Sequence, residues 1–515
     1  MSMKNHNQLK WGSILSYAQM GLSVLIGLLY TPVMLRLLGR SEYGLYNTVA
    51  STISMLGLLN LGFNSGYIRY FAKYKVNDDK ESIWKLNGLF LIIFTVIGLV
   101  ALLCGLFLTF HLEMVFKSGL TAEEYGIARI LMLLMTLNLA ISFPMSVFSM
   151  IISANERFIF LKILGMLNTV LGPLLTLPLL LMGYRSIAMV SVSVALALIT
   201  NVIYVYYVLH VLRNRFIFRD FERGIFSSLF AYTLFIAINI IVDQINWNID
   251  KLLLTRFKGT SAVAVYSVGY SLYSYYMSFS VSVSGVFTPR IHKIVNETRD
   301  DHHLQRQQLT DLFVKVGRIQ FLILGLIASG MVFFGHAFLT QFWAGPEYSD
   351  SYAVALLLML PASIALTQNV GIEIQRALNL HQFRSLVYLG MALVNLGLSI
   401  YLCQKYGAIG SAVGTAISLI VANGLVMNIY YHLKCNMDVL AFWKNIIRMC
   451  LGLILPVAFG VAYTRILNVT RPYVFVLGIA AYTVVYCVSV WCFSMNPYEK
   501  TLVCSIFSKL QRRSA

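Results

Sequence analysis

Apolar runs of about 20 residues recur along this 515-residue chain, and they constrain its fold more than any other feature. Each run is long enough to cross about 30 Å of hydrocarbon as a helix, and a helix satisfies its own backbone hydrogen bonds inside a bilayer. Hydrophobic residues make up 58% of the chain and charged residues 12%, so lipid must solvate most of it. The sequence predicts an all-α polytopic membrane protein.

The apolar runs predict about fourteen transmembrane helices, and the basic residues orient them. The predicted spans are 12–35, 43–72, 85–110, 124–153, 158–182, 186–210, 225–256, 261–289, 311–340, 351–378, 383–403, 408–433, 444–466 and 473–495. With the N-terminus inside, most of the 39 lysines and arginines fall at cytoplasmic ends, so both termini are predicted to be cytoplasmic. Because the net charge of +18 is spread among short loops, no nucleic-acid partner is expected.

An internal repeat divides the chain into two halves. Two sets of residues recur at matched spacing: Arg36, Gly39 and Tyr46 with Arg256, Gly259 and Tyr266, and Asn155, Gly183 and Tyr207 with Asn379, Gly407 and Tyr431. Duplicated apolar helices are a signature of transporters, whose substrate site lies between the halves. Since each half has an even number of spans, a pseudo-two-fold axis along the membrane normal is predicted to relate them.

The repeat predicts four segments. They are an N-terminal six-helix half (1–211), a basic cytoplasmic linker (212–224), a C-terminal six-helix half (225–435), and two extra transmembrane helices with a basic tail (436–515). The linker suits either a segment on an anionic inner leaflet or an ordinary positive-inside loop. The seven cysteines lack paired spacing, which favours core residues over a disulfide framework or a metal site. No cofactor is implied.

The seventh span carries the most polar helix face in the chain. Asn239, Asp243, Asn246 and Asp250 share one face, and Trp247 and Lys251 adjoin it. Polar groups in hydrocarbon are costly, so this face either lines a water-filled cavity or forms hydrogen bonds between helices. Asp243 is the candidate for ion coupling, because a carboxylate deep in a membrane protein can take up a proton or bind sodium. The residues leave the choice of ion open.

Other polar side chains suit a phosphorylated sugar. Tyr270 and Tyr273 on the eighth span offer hydroxyl groups and rings, although tyrosine also packs between helices. Guanidinium groups bind diphosphates through paired hydrogen bonds, although each could instead be an interfacial anchor. The candidates lie near span ends: Arg36, Arg69, Arg129 and Arg290. Glu373 in the tenth span is a second candidate for ion coupling.

Four segments resemble the polysaccharide (Wzx-type) flippases of the multidrug/oligosaccharidyl-lipid/polysaccharide exporter superfamily. They are LLGRSEYGLYN, GFNSGYIRYFAKY, NIDKLLLTRFKGTSAVAVYSVGY and YGAIGSAVGTAIS, and the resemblance covers roughly residues 10–435. Many members have twelve spans, whereas fourteen are predicted here, as in the related lipid II flippases.

The resemblance implies two six-helix halves that alternate between inward-open and outward-open states. It implies transfer of an undecaprenyl-diphosphate-linked oligosaccharide to the outer leaflet of the bacterial cytoplasmic membrane, driven by proton or sodium antiport. Arg69, Arg290 and Lys251 would contact the headgroup, and the lipid tail would stay in the bilayer. A polysaccharide polymerase and chain-length machinery are the implied partners.

Three other functions remain open on the sequence. A multidrug antiporter of the same superfamily would need acidic groups for cationic drugs, whereas this chain offers mainly arginine and lysine. A polymerase or ligase acting on the same lipid-linked sugars would need a large outer loop with catalytic residues, and the outer loops here are short. A structural scaffold would have no reason to carry the polar face of the seventh span.

Overall fold

The structure, a computed structural model, describes the backbone of residues 3–116, 119–221 and 224–514. Side chains are described in these ranges except those of residues 3–10, 13, 225–232, 234–236, 238, 239, 243, 381 and 506–514. The described backbone is almost entirely helical and contains no strand, which confirms the all-α prediction. The chain divides into two compact units, Met1–Ser267 with Leu396–Ser411, and Val268–Asn395 with Ala412–Ala515.

The first unit is built from the helices that precede Ser267. They are α1 (Met3–Leu56), α2 (Phe63–Val76), α3 (Lys80–Phe110), α4 (Leu112–Phe116), α5 (Ala122–Ala154), α6 (Phe158–Leu181), α7 (Arg185–Tyr206), α8 (Ile225–Lys258) and the start of α9 (Thr260–Glu297). Aromatic side chains of α2 and α3 form a buried cluster, in which the rings of Tyr67 and Phe90 lie 5.0 Å apart. This cluster fixes α2 and α3 against α5.

The second unit contains the rest of α9 and the helices that follow. They are α10 (His302–Ala337), α11 (Ser349–Thr367), α12 (Val370–Ala377), α13 (His381–Leu419, whose middle belongs to the first unit), α14 (Met427–Leu433), α15 (Val439–Met449), α16 (Ile454–Ile466), α17 (Pro472–Phe493) and α18 (Pro497–Ser514). Residues Ile420–Val426 form a π-helix that joins α13 to α14. In the core of the second unit, the rings of Phe313 and Phe442 stack with their centres 4.3 Å apart.

Ten helical segments among the described residues are long and apolar enough to cross a membrane. Two of the ten contain a glycine whose backbone is not helical, Gly39 in α1 and Gly407 in α13, and each glycine breaks its helix into two. These findings confirm a polytopic helical membrane protein. The count of fourteen spans and the division into two six-helix halves stay predictions.

The glycines of the internal repeat share backbone conformations. Gly39 has φ 76° and ψ 169°, and its repeat partner Gly259 has φ 81° and ψ 178°. A side chain at these angles is strained, so glycine is required where one helix ends and the next begins at once. Gly183 and Gly407 also have positive φ. The repeated residues therefore mark equivalent turns.

The described part of the basic linker, residues 212–221, is an extended strap against α3. Ile217 donates its backbone N–H to the Trp84 carbonyl at 3.1 Å, and the Asn87 amide donates to the Arg215 carbonyl at 3.2 Å. The Arg215 guanidinium lies 5.2 Å from the Trp84 ring centre. The strap is thus held by one backbone–backbone hydrogen bond, one hydrogen bond from the Asn87 side chain and a cation–π contact.

Candidate functional site

The two copies of the repeated turn contact each other in the first unit. The hydroxyls of Thr48 and Thr255 are 2.7 Å apart and buried, and those of Ser41 and Thr260 are 3.2 Å apart. Arg40 Nε donates to the carbonyl of Ser261 at 3.2 Å. We call Arg40, Ser41, Thr48, Thr255, Thr260, Ser261 and Glu124 the turn junction. Small hydroxyl groups make most of its side-chain hydrogen bonds.

Glu124 bridges the two turns. Its carboxylate accepts hydrogen bonds from the Ser41 hydroxyl of the first turn and, at 2.6 Å, from the Thr260 hydroxyl of the second. It also accepts from the Thr121 backbone N–H at 2.8 Å, because Thr121 and Glu124 form a capping box at the start of α5. The cap orients the carboxylate, and its charge strengthens each bond. Glu124 is not among the site residues predicted from the sequence, although a Thr-x-x-Glu pattern before an apolar run indicates its capping role.

Asp250 lies within a second buried cluster of the first unit. Its side chain has no exposed surface, Tyr266 Oη donates to it at 2.9 Å, and Ser411 Oγ donates at 3.4 Å. Lys251, the next residue, is also buried. A buried carboxylate needs such partners, because an isolated charge in a low-dielectric interior is very costly. The repeat explains the arrangement in part, since Tyr266 is one of the repeated residues.

Gln244, Asn246 and Asn248 of the seventh span are half-buried. Asn248 donates to Gln244 Oε1 at 2.5 Å, and Trp247 beside them is half-buried. The side chains of Asn239 and Asp243 lie outside the described residues. The polar face therefore combines a fully buried end at Asp250 with a partly accessible stretch before it.

The second unit contains Tyr270, Tyr273 and a break between α11 and α12. The rings of Tyr270 and Tyr273 are 5.8 Å apart, and Tyr273 is buried. At the break, Gln368 Nε2 donates to Asn428 Oδ1 at 2.6 Å, and Asn369 Nδ2 donates to Ser284 Oγ at 2.8 Å. Gln368 and Asn369 are not among the residues predicted from the sequence, because their hydrogen-bond partners lie on other helices.

The predicted arginines lie on four helices and are exposed. Arg36 is in α1, Arg69 in α2 and Arg129 in α5, all in the first unit, whereas Arg290 is in α9 of the second unit. Glu373 in α12 forms a 2.6 Å ion pair with Arg376, whose side chain is 62% exposed. The geometry does not single out any of these five as a ligand contact.

The sequence profile of one protein family matches residues 10–295, more than half of the chain. That family is described as "polysaccharide biosynthesis protein". The chain belongs to this family. The chain is similar to a protein from Shigella flexneri that is named as an O-antigen transporter. The two are 19% identical over 408 residues, which cover 78% of this chain and 92% of the relative.

Solved transporter structures share the fold of this polysaccharide biosynthesis protein. The lipid II flippase MurJ in its inward closed conformation aligns with a TM-score of 0.65 and 14% identity, covering 96% of this chain and 99% of MurJ. An inward-facing multidrug resistance transporter of the MATE family aligns with a TM-score of 0.58 and 15% identity, covering 84% and 96% of the two chains. The chain is a membrane protein with the fold of this transporter superfamily, as the sequence resemblance predicted.

Proposed function

We propose that this protein is a flippase that moves undecaprenyl-diphosphate-linked oligosaccharide units from the inner to the outer leaflet by alternating access. Its family membership supports a transporter for polysaccharide biosynthesis. The observation that carries the alternating-access part is the turn junction, where equivalent turns of the two repeats meet. In this proposal the junction closes one side of the membrane and opens during each transport cycle.

The chemistry of the turn junction suits a contact that opens. Its hydroxyl groups and the Glu124 carboxylate can exchange their mutual hydrogen bonds for bonds to water, which offsets much of the cost of separation. Large apolar surfaces, in contrast, would resist separation by about 25 cal/mol for each Å² exposed. The two glycines at the turns let each helix pair end without a bulky loop in the way.

The side chains proposed to contact the substrate form two groups, one for the diphosphate and one for the sugar rings. Cationic groups would bind the diphosphate: Arg36, Arg69, Arg129, Lys251 and Arg290. Trp247, Tyr270 and Tyr273 would contact sugar rings through aromatic faces and hydroxyls, and Asp250 would orient the neighbouring Lys251. The polyprenyl tail would stay in the lipid.

Ion coupling is proposed at carboxylates of the membrane interior. Asp243 and Glu373 are the candidates from sequence, with a proton or sodium as the ion. Asp250 joins them because its buried carboxylate could take up a proton, or could bind sodium together with the hydroxyl oxygens of Tyr266 and Ser411. The proposal assigns no chemical catalysis to the chain. It locates the protein in the bacterial cytoplasmic membrane with both termini inside, beside the polymerase and chain-length machinery.

Deletion of the gene in the native host tests the proposal. We expect intact lipid-linked units to accumulate on the cytoplasmic leaflet and surface polysaccharide to disappear. The wild-type gene should restore polysaccharide, whereas Asp243→Asn and Arg290→Ala should not. Normal surface polysaccharide together with lost drug resistance would favour a multidrug antiporter instead. Units that reach the outer leaflet but stay unpolymerised would favour an enzyme.

A further inference from the structure

An apolar groove of about 960 Å³ lies along α10 and α17 in the second unit, with α18 contributing to its wall. On α10 it is lined by Ile319, Ile323 and Leu326, which recur at helical spacing on one face. Val488 of α17 and Leu502 of α18 also line it, and both are at least one-third exposed. The groove is therefore an accessible apolar surface on a membrane protein, with room for a lipid acyl chain.

A buried ion pair fixes α18 beside the groove. Arg318 Nε donates to Glu499 Oε1 at 2.6 Å, and Arg318 Nη2 donates to Glu499 Oε2 at 2.9 Å. The same Nη2 donates to the Ser494 carbonyl at 2.7 Å. Glu499 lines the groove, but Arg318 neutralises its charge. The groove thus presents no uncompensated negative charge from this carboxylate.

Two lysines lie close in sequence to residues that line the groove, and each lies against an aromatic ring. Lys315, one helical turn before Ile319, has its Nζ 3.6 Å from the ring centre of Tyr498. Lys500 Nζ lies 5.7 Å from the ring centre of Trp491, which lines the groove. Neither lysine forms an ion pair among the side chains that the structure describes. Lysine and aromatic side chains together are typical of the level at which lipid headgroups lie.

We propose that this groove binds an anionic phospholipid as a resident structural ligand. Its acyl chains lie along α10 and α17, and its phosphate contacts Lys315 and Lys500. The apolar wall selects a lipid chain, and the two unpaired cations favour an anionic headgroup over a zwitterionic one. None of the side chains proposed to contact the translocated substrate lines this groove, so the proposal goes beyond the proposed flippase activity and does not depend on it.

Native mass spectrometry of the full-length protein tests the headgroup contact. The probes are phosphatidylglycerol and phosphatidylcholine with identical acyl chains, titrated into delipidated protein. We expect tighter binding of phosphatidylglycerol, and about five-fold weaker binding for each of Lys315→Gln and Lys500→Gln. Lys434→Gln and Lys444→Gln, exposed lysines of the same unit outside the groove, are the matched controls and should leave affinity unchanged. Equal affinity for the two lipids, or equal loss in the controls, would overturn the proposal.

Two native cysteines report whether the acyl chains occupy the groove. Cys487 lines it and is exposed, whereas Cys104 on α3 is exposed and does not line it. Added phosphatidylglycerol should slow the reaction of Cys487 with a lipophilic maleimide and leave Cys104 unchanged. Ile323→Trp, which fills the groove, should weaken binding of both phospholipids. Unprotected Cys487, or displacement of phosphatidylglycerol by far lower concentrations of undecaprenyl phosphate, would contradict a resident phospholipid.

Discussion

Asp250 is a carboxylate without exposed surface, and the hydroxyl groups of Tyr266 and Ser411 are among the partners that stabilise its charge. A hydrogen bond to a charged group contributes about 1.5–3 kcal/mol, roughly twice a bond between neutral groups. Removing one donor leaves the charge less well solvated. The residues around Asp250 should therefore tolerate substitution poorly, whatever the residue does in transport.

Tyr266→Phe should lower the free energy of unfolding by about 1.5–3 kcal/mol, because it removes the donor 2.9 Å from Asp250. Tyr486→Phe is the matched control: this tyrosine is also buried, but it donates to the neutral carbonyl of Leu322 at 2.8 Å. The control should cost about 1 kcal/mol. Unfolding titrations in detergent measure both, and equal losses would contradict a charged acceptor at Tyr266.

Arg318→Leu should destabilise the protein by about 3–5 kcal/mol, because it leaves Glu499 as an uncompensated buried charge. The double variant Arg318→Leu/Glu499→Leu should recover much of that loss, because no buried charge remains. Thermal unfolding in detergent compares the three proteins. A double variant no more stable than Arg318→Leu would show that the ion pair is not the cause.

Patterns in the sequence identified single residues of the site where neighbouring positions carried the information, but not the distant residues that they contact. The spacing along the seventh span identified Asp250, but its hydroxyl partners are 16 and 161 residues away. Arg318 and Glu499 are 181 residues apart, so no local pattern pairs them. Glu124 carried only a capping signal, and its contacts with both turns depend on tertiary packing.

At the scale of helices, Gly39 and Gly259 decide where long apolar runs break. Hydropathy predicted the spans because each must cover the bilayer, and the repeat identified the turns. The repeat did not predict that the two turns contact each other. Nor did it predict the break at Gln368–Asn369, where the amides bond to α9 and α14 side chains. Such breaks depend on partners from other helices.

Gly39→Ala should destabilise the protein by about 1–3 kcal/mol, because φ 76° with ψ 169° is strained for any residue with a side chain. Its control lies in the same helix: Gly21 is helical and has open space around it. Gly21→Ala should be neutral or stabilise by about 0.5–1 kcal/mol. Melting temperatures that move in the same direction for both variants would exclude backbone strain as the cause.

At the scale of the whole molecule, fold and family agree with the sequence, and the proposed transport cycle requires the turn junction to open. Thr48 and Thr255 are the natural positions for a cross-link, because their hydroxyl oxygens are 2.7 Å apart in copies of one repeated turn. Side-chain oxygens this close place the two β-carbons within about 5.5 Å of each other, so cysteines at these positions can be tested for disulfide formation. If the junction must open in each cycle, such a bond stops transport.

The most direct test follows an undecaprenyl-diphosphate-linked oligosaccharide across proteoliposomes, using a membrane-impermeant glycosidase to report its leaflet. The protein is a cysteine-free variant with Thr48→Cys and Thr255→Cys, and Thr48→Cys alone is the control. Reduced protein and the control should translocate the lipid, oxidation should stop only the double variant, and dithiothreitol should restore it. Full transport by the cross-linked protein would contradict opening at the turn junction, and no transport by any of them would contradict the flippase.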